Sequence, residues 1–137
     1  MTEQTTRLVF ASRIEAVADA AAAAADFVQK SGAGEETAFG IDLAVREAVT
    51  NAVVHGNRED LTKEVEVTFG SSAGTLEIEV KDHGEGFDPA SVPDPTDPAN
   101  LMKASGRGMF LIRSFMDEAQ WSTASKGGTI LRMIKRF

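Results

Sequence analysis

Residues 41–57 read Ile41-Asp42-Leu43-Ala44-Val45-Arg46-Glu47-Ala48-Val49-Thr50-Asn51-Ala52-Val53-Val54-His55-Gly56-Asn57. Ile41, Ala44, Val45, Ala48, Val49, Ala52 and Val53 recur at the i, i+3, i+4 spacing of one buried helical face. Gly56 supplies a stop for that helix. Glu47 and Asn51 are four residues apart and share a face, which Val54 and His55 continue. A carboxylate beside an amide can do paired work: the carboxylate takes a proton and the amide oxygen holds a cation. Two solvated polar residues on an outer helical face would give the same pattern, so the remainder of the chain decides between them.

Toward the N-terminus, Leu8, Val9 and Phe10 follow a polar start and form a short first strand. Ser12-Arg13-Ile14-Glu15 has the form of a capping box, with Ser12 as the cap and Glu15 reaching back. It opens a helix that runs through the alanines to about Lys30, with Ile14, Val17, Ala21, Ala24, Ala25 and Val28 as apolar positions. So many alanines predict close approach to a neighbouring helix or sheet. Ser31-Gly32-Ala33-Gly34 is a break, and the second helix fills roughly Glu36 to His55.

Toward the C-terminus, Val65, Val67 and Phe69 alternate with polar residues, as do Leu76, Ile78 and Val80. Residues 70–74 join them into a hairpin with one buried and one polar face. Asp82-His83-Gly84-Glu85-Gly86-Phe87 follows at the strand end, and then a loop holding all four prolines of the chain. Ser105-Gly106-Arg107-Gly108 opens a third helix carried by Met109, Leu111, Ile112, Phe115 and Met116. Residues 119–123 and 129–134 are the last two strands, around a turn at Gly127-Gly128. Strand, helix, helix, two strands, helix and two strands fit a two-layer α/β sandwich, with the helices on one face of a mixed, mostly antiparallel sheet.

A chain of 137 residues with 42% hydrophobic content is long enough for one domain with a real core, here taken as residues 1–137. The absence of cysteine excludes disulfides, thiolate metal sites and a cysteine nucleophile. The net charge of -7 argues against a general nucleic-acid binder, though backbone amides can still hold phosphate inside an acidic protein. The alanine run carries acids and lacks a basic leader, and no apolar run is long enough to span a membrane. The expectation is a cytoplasmic protein without membrane or direct nucleic-acid partners.

Three further elements bear on chemistry. In Asp82-x-Gly84-x-Gly86 a carboxylate at a strand end can accept from an exocyclic amine, and the glycines let a flat ring approach the backbone. Gly106-Arg107-Gly108 at a helix start combines free N–H groups with the positive end of the dipole, an anion site to which Arg107 can add a charge-assisted contact. Thr129, after Gly127-Gly128, can offer its hydroxyl to a base or a water. Each has an ordinary reading as well: a tight turn, a hinge before a helix, a hairpin turn. No Gly-x-x-x-x-Gly-Lys-Ser/Thr run and no protein-kinase signature set is present.

Taken in this order, the elements resemble those of the Bergerat-fold ATPases, the GHKL superfamily of gyrase B, the ninety-kilodalton heat-shock chaperone, histidine kinases and MutL. Glu47-x-x-x-Asn51 resembles the N box, Asp82-x-Gly84-x-Gly86 the G1 box and Gly106-x-Gly108 the G2 box. Glu47 through Gly56, the short approach to Ser105-Gly106-Arg107-Gly108, and Phe115-Met116-Asp117-Glu118 resemble the anti-sigma-factor serine/threonine kinases of that superfamily.

That resemblance implies ATP and Mg²⁺ as cofactors. Glu47 would be the catalytic base toward a serine or threonine hydroxyl, and Asn51 the metal ligand. Asp82 would bind the adenine amine, with Gly84 and Gly86 admitting the base. Gly106, Arg107, Gly108 and Met109 would meet the phosphates, and His55, Phe87 and Thr129 would complete the nucleotide site. Residues 88–105 would form the ATP lid. The implied substrate is an anti-sigma-factor antagonist of the STAS type, the implied second partner a sigma factor held by a kinase homodimer. Neither His55 nor His83 lies in a histidine-kinase dimerisation helix, so autophosphorylation on histidine is not implied. The alternative is an ATP-dependent binding switch that sequesters a partner without phosphorylating it.

Overall fold

The computed structural model describes residues 4–57, 60–83, 104–124 and 127–137; for residues 4, 55, 56 and 104–109 it describes the backbone alone. The elements are β1 (Gln4–Ala11), α1 (Glu15–Ser31), α2 (Glu35–Thr50), a π-helical turn (Asn51–Gly56), β2 (Glu64–Ser72), β3 (Thr75–Lys81), α3 (Ala104–Phe115), β4 (Glu118–Thr123) and β5 (Thr129–Arg136). The five strands make one sheet in the order β1-β2-β3-β5-β4. The expected two-layer sandwich stands. Its sheet is antiparallel at all four described pairings rather than mixed.

Alternation along the strands sets the two faces. Leu8 faces Val67, which faces Val80, which faces Leu131, so one row of apolar side chains crosses four strands. Val65, Val67, Phe69, Leu76, Ile78, Val80, Leu131 and Met133 are buried beneath the helices. The opposite face carries charged pairs instead: Arg7 with Glu66, Arg132 with Glu77, and Arg136 with Glu118. Among the described residues the sheet is thus covered on one side only, as antiparallel sheets allow.

The second helix buries the stripe that its sequence announces: Ile41, Ala44, Val45, Ala48, Val49, Ala52 and Val53 are all at most 5% exposed. The alanines of α1 explain themselves in the same way. Ala16, Ala20, Ala21 and Ala24 are buried, and their small side chains let α1 lie close against α2 and β2. Two positions expected on this face, Ile14 and Ala25, are exposed; Phe27 is buried instead, stacked on Phe69 with ring centroids 5.5 Å apart. Burial of such a ring contributes about 1.5–3 kcal/mol.

The capping box is overturned. The residue preceding α1 is Ile14, and no side chain caps the helix. Ser12 is fully buried, and its Oγ accepts a hydrogen bond from Asn57 Nδ2 at 3.0 Å. The strands of the hairpin also run further than the glycines suggest. Ala73 and Gly74 are the two turn residues, with φ of 38° and 78°. Positive φ at both central positions matches the right-handed twist of the flanking strands.

Candidate functional site

Glu47 and Asn51 lie at the C-terminal end of α2, both half-buried. The backbone changes period between them. Thr50 Oγ1 donates to Arg46 O at 2.7 Å, the back-bonding pattern that bends helices. The Asn51 N–H is shared between the carbonyls of Ala48 and Glu47. The chain then widens into the π-helical turn, which Asn57 closes by donating its N–H to Ala52 O at 2.8 Å, five residues back. Gly56 is therefore not the stop: Asn57 caps the turn with an ordinary right-handed φ of -85°. Single π-turns inside α-helices are concentrated at functional sites. The 3.6-residue spacing that placed His55 over Asn51 does not hold across this turn, and the His55 side chain lies outside the described residues.

Asp82 sits just beyond β3, 5% exposed. Its N–H donates to Thr129 O at 3.0 Å, and its Oδ1 accepts from Thr129 N–H at 3.0 Å. Thr129, expected to offer its hydroxyl to a base or a water, meets Asp82 through its backbone. Gly128 makes this approach possible. It has φ +91°, and a Cβ there would stand 2.2 Å from Asp82 O. The dipeptide Gly127-Gly128 reads locally as a hairpin turn, and its tighter requirement comes from the neighbouring strand end.

Gly106, Arg107, Gly108 and Met109 fall within the first turns of α3, which begins at Ala104. The free N–H groups of a helix belong to its first four residues, so Gly106 and Arg107 stand among them. The side chains of Arg107 and Met109 lie outside the described residues, as do Gly84, Gly86, Phe87 and the expected lid at 88–105, save for the backbone of Ala104 and Ser105 in α3. Helix α3 is seated against α2: a Cβ on Gly40 would stand 3.1 Å from Phe115 Cδ1, and Phe115 packs edge-on against Phe39. Arg113 lies 5.2 Å from the centre of the Trp121 ring and ties the last turn of α3 to β4.

The sequence reading missed Asn57. It is 1% exposed, and its Oδ1 accepts from His83 N–H at 2.8 Å. An asparagine directly after the His55-Gly56 pair, at a helix end, is the signal that was available. A depression of about 190 Å³ on the uncovered sheet face, lined by Arg7, Glu66, Thr68, Glu79, Lys81 and Ile130, does not belong to this site. It lies across the sheet from the helices, and three of its charges are paired with one another. Among the described residues, no group of three or more His, Asp or Glu is placed to hold a metal ion by itself.

An open antiparallel sheet with helices on one face is the architecture of histidine kinase-like ATPase domains. It matches the RsbU and RsbW domains of Rv1364c from Mycobacterium tuberculosis with a TM-score of 0.70, at 20% identity, over 97% of this chain and 32% of that one. It matches the catalytic domain of histidine kinase ThkA with a TM-score of 0.61, at 11% identity, over 96% and 97% of the two chains. The chain belongs to the histidine kinase-like ATPase domain family, whose model matches residues 10–135. Among curated proteins it is similar to an anti-sigma F factor of Clostridium botulinum (strain Eklund 17B / Type B), 31% identical over all of this chain and 97% of the relative. It is also similar to the serine-protein kinase RsbW of Bacillus subtilis (strain 168), 34% identical over 58% of this chain and 54% of the relative.

Proposed function

We propose that residues 1–137 form a single ATP-dependent serine/threonine protein kinase domain that phosphorylates a STAS-type anti-sigma-factor antagonist and binds and inhibits a sigma factor. The observation that carries this reading is Asp82, 5% exposed and held at a strand end by Thr129, together with Glu47 one helical turn before Asn51. The names of the relatives, anti-sigma F factor and serine-protein kinase, support it.

In this reading Asp82 accepts the adenine amine, and Gly84 and Gly86 admit the ring beside Phe87. Thr129 flanks the base. The backbone N–H groups at the start of α3, with Arg107 and Met109, receive the phosphates, and residues 88–105 close over them. His55 completes the phosphate side. The amide oxygen of Asn51 is a hard donor of the kind Mg²⁺ takes alongside phosphate oxygens and water. Mg²⁺, when bound, neutralises the phosphate charge that resists transfer. Glu47 accepts the proton of the substrate hydroxyl, a contribution smaller than that of positioning. Exposed Val9 and Ile14, on β1 and at the start of α1, supply an apolar surface for a homodimer. No helix among the described residues is long and apolar enough to cross a membrane, which agrees with the proposed cytoplasmic setting.

The test is thermal unfolding with and without Mg-ATP, for the native protein and Asp82→Ala. Ligand at about a hundred times its dissociation constant stabilises by roughly 2.7 kcal/mol. A shift in the native protein that vanishes in the variant is the expected result. No shift in the native protein removes the nucleotide site and the kinase reading together.

A further inference from the structure

Asn57 stands where four segments of the chain meet. Its Nδ2 donates to Ser12 Oγ and to Glu64 O, each at 3.0 Å, and its Oδ1 accepts from His83 N–H at 2.8 Å. Its backbone closes the π-helical turn through Ala52 O and accepts from Asp60 N–H at 3.1 Å. An amide is the side chain that can donate twice and accept on its other arm, so both hydrogens and the oxygen are in use.

The location of these bonds matters more than their number. The β2–β3 ladder ends at the pair Glu66 and Lys81. Continued by two residues, it would set Glu64 opposite His83. The Asn57 amide lies between those two residues and takes the hydrogen bonds of Glu64 O and His83 N–H that a continued ladder would exchange directly. It therefore parts β3 from β2 just as β3 delivers Asp82. On its other side the same strand end is held by Thr129.

We propose that Asn57 is a positioning residue for base recognition: a wedge that sets the direction of the Asp82 carboxylate and joins it mechanically to the turn that begins at Asn51. This rests on the reading of Asp82 as the adenine-binding carboxylate. Asn57 touches no substrate in this account and acts through the Asp82–His83 peptide.

The probe is a pair of nucleotides, ATP and inosine triphosphate, which differ by an exocyclic amine against a carbonyl oxygen. Dissociation constants for both are measured alongside unfolding temperature, in the native protein, Asn57→Ala, Asn57→Asp and Ser12→Ala. The native protein prefers ATP. In Asn57→Ala that preference falls by about tenfold, the equivalent of one well-placed hydrogen bond. Ser12→Ala, which loses only the Nδ2 partner in the β1–α1 connection, unfolds at lower temperature and keeps the preference. If Asn57→Ala does not fold, Asn57→Asp decides, because its carboxylate can still accept from His83 N–H: it keeps the preference at a lower unfolding temperature. A folded Asn57→Ala with the native preference overturns the inference and leaves Asn57 a structural residue, as does loss of the preference in Asn57→Asp. A native protein that binds ATP and inosine triphosphate equally overturns the assignment of Asp82 to the base, and this inference with it.

Discussion

Asp82 and Thr129 hold each other twice: backbone N–H to backbone O in one direction, backbone N–H to carboxylate in the other, both at 3.0 Å. This double contact fixes a carboxylate at the end of a strand. The close approach depends on the residue between the strands having no side chain. Gly128→Ala would place a methyl group 2.2 Å from Asp82 O at a φ of +91°. The expected loss is about 2 kcal/mol or more of stability in a urea titration, together with ATP affinity. Native stability in Gly128→Ala would mean that the turn relaxes freely and that the grip on Asp82 is loose.

Glu47 separates chemistry from binding. Glu47→Gln is expected to leave the Mg-ATP thermal shift unchanged and to reduce phosphate transfer to a STAS-type partner by about 10²–10⁴-fold, the usual range for a general base. Transfer at the native rate would remove the base assignment. Absence of transfer in the native protein, with ATP bound, would favour the sequestering switch over the kinase.

Asn51 is assigned to the metal. Asn51→Ala should weaken ATP binding when Mg²⁺ is present and leave the metal-free affinity near its native value, as read by calorimetry with and without chelator. Equal loss in both conditions would make Asn51 a structural residue of the π-helical turn.

Phe69 tests the core independently of the site. It is 1% exposed and stacked on Phe27. Phe69→Ala is expected to cost about 3–5 kcal/mol by chemical denaturation, with no specific change in nucleotide preference. A loss below about 1 kcal/mol would show that α1 collapses into the space.

At the surface, Asp60 accepts from Thr62 Oγ1 at 2.6 Å and from Thr62 N–H at 2.9 Å. These two bonds hold its carboxyl below the ordinary value of 3.8, with Lys63 adding to the effect. A carboxyl with a lowered native pKa adds stability at pH above its unfolded value and loses it as pH falls through the native one. Carbon-detected titration should find the Asp60 midpoint below 3.8, and Thr62→Val should move it part of the way back. A midpoint unaltered by Thr62→Val would assign the shift to the backbone bond alone.

What was legible in the sequence was whatever repeats over a short span. The stripe of α2 and the alternation of β2 and β3 are local periodicities, and burial follows them residue by residue. Asp82 and Thr129 stand out singly, each at a strand end beside glycines, but their bond to each other spans 47 residues and leaves no local trace. The illegible parts are those whose partners are distant. Ser12 has a capping pattern four residues long, yet its real partner is 45 residues away. Asn57 bonds to His83 across 26 residues. The π-helical turn was hidden for a different reason: Ala52 and Val53 keep an apolar pattern while the hydrogen bonds change from four residues to five.

The uncovered face of the sheet has a consequence for how this molecule meets others. By register it presents Arg7, Lys81, Arg132 and Arg136 against Glu64, Glu66, Glu77, Glu79 and Glu118, four cations and five anions. Four against five leaves that face close to neutral, so most of the net charge of -7 belongs to the rest of the chain. A positively charged partner diffusing toward it is drawn mainly by the rest of the surface and only weakly by the open sheet. Raising the salt concentration would erase that orientation, slowing capture of such a partner without altering what holds it once docked.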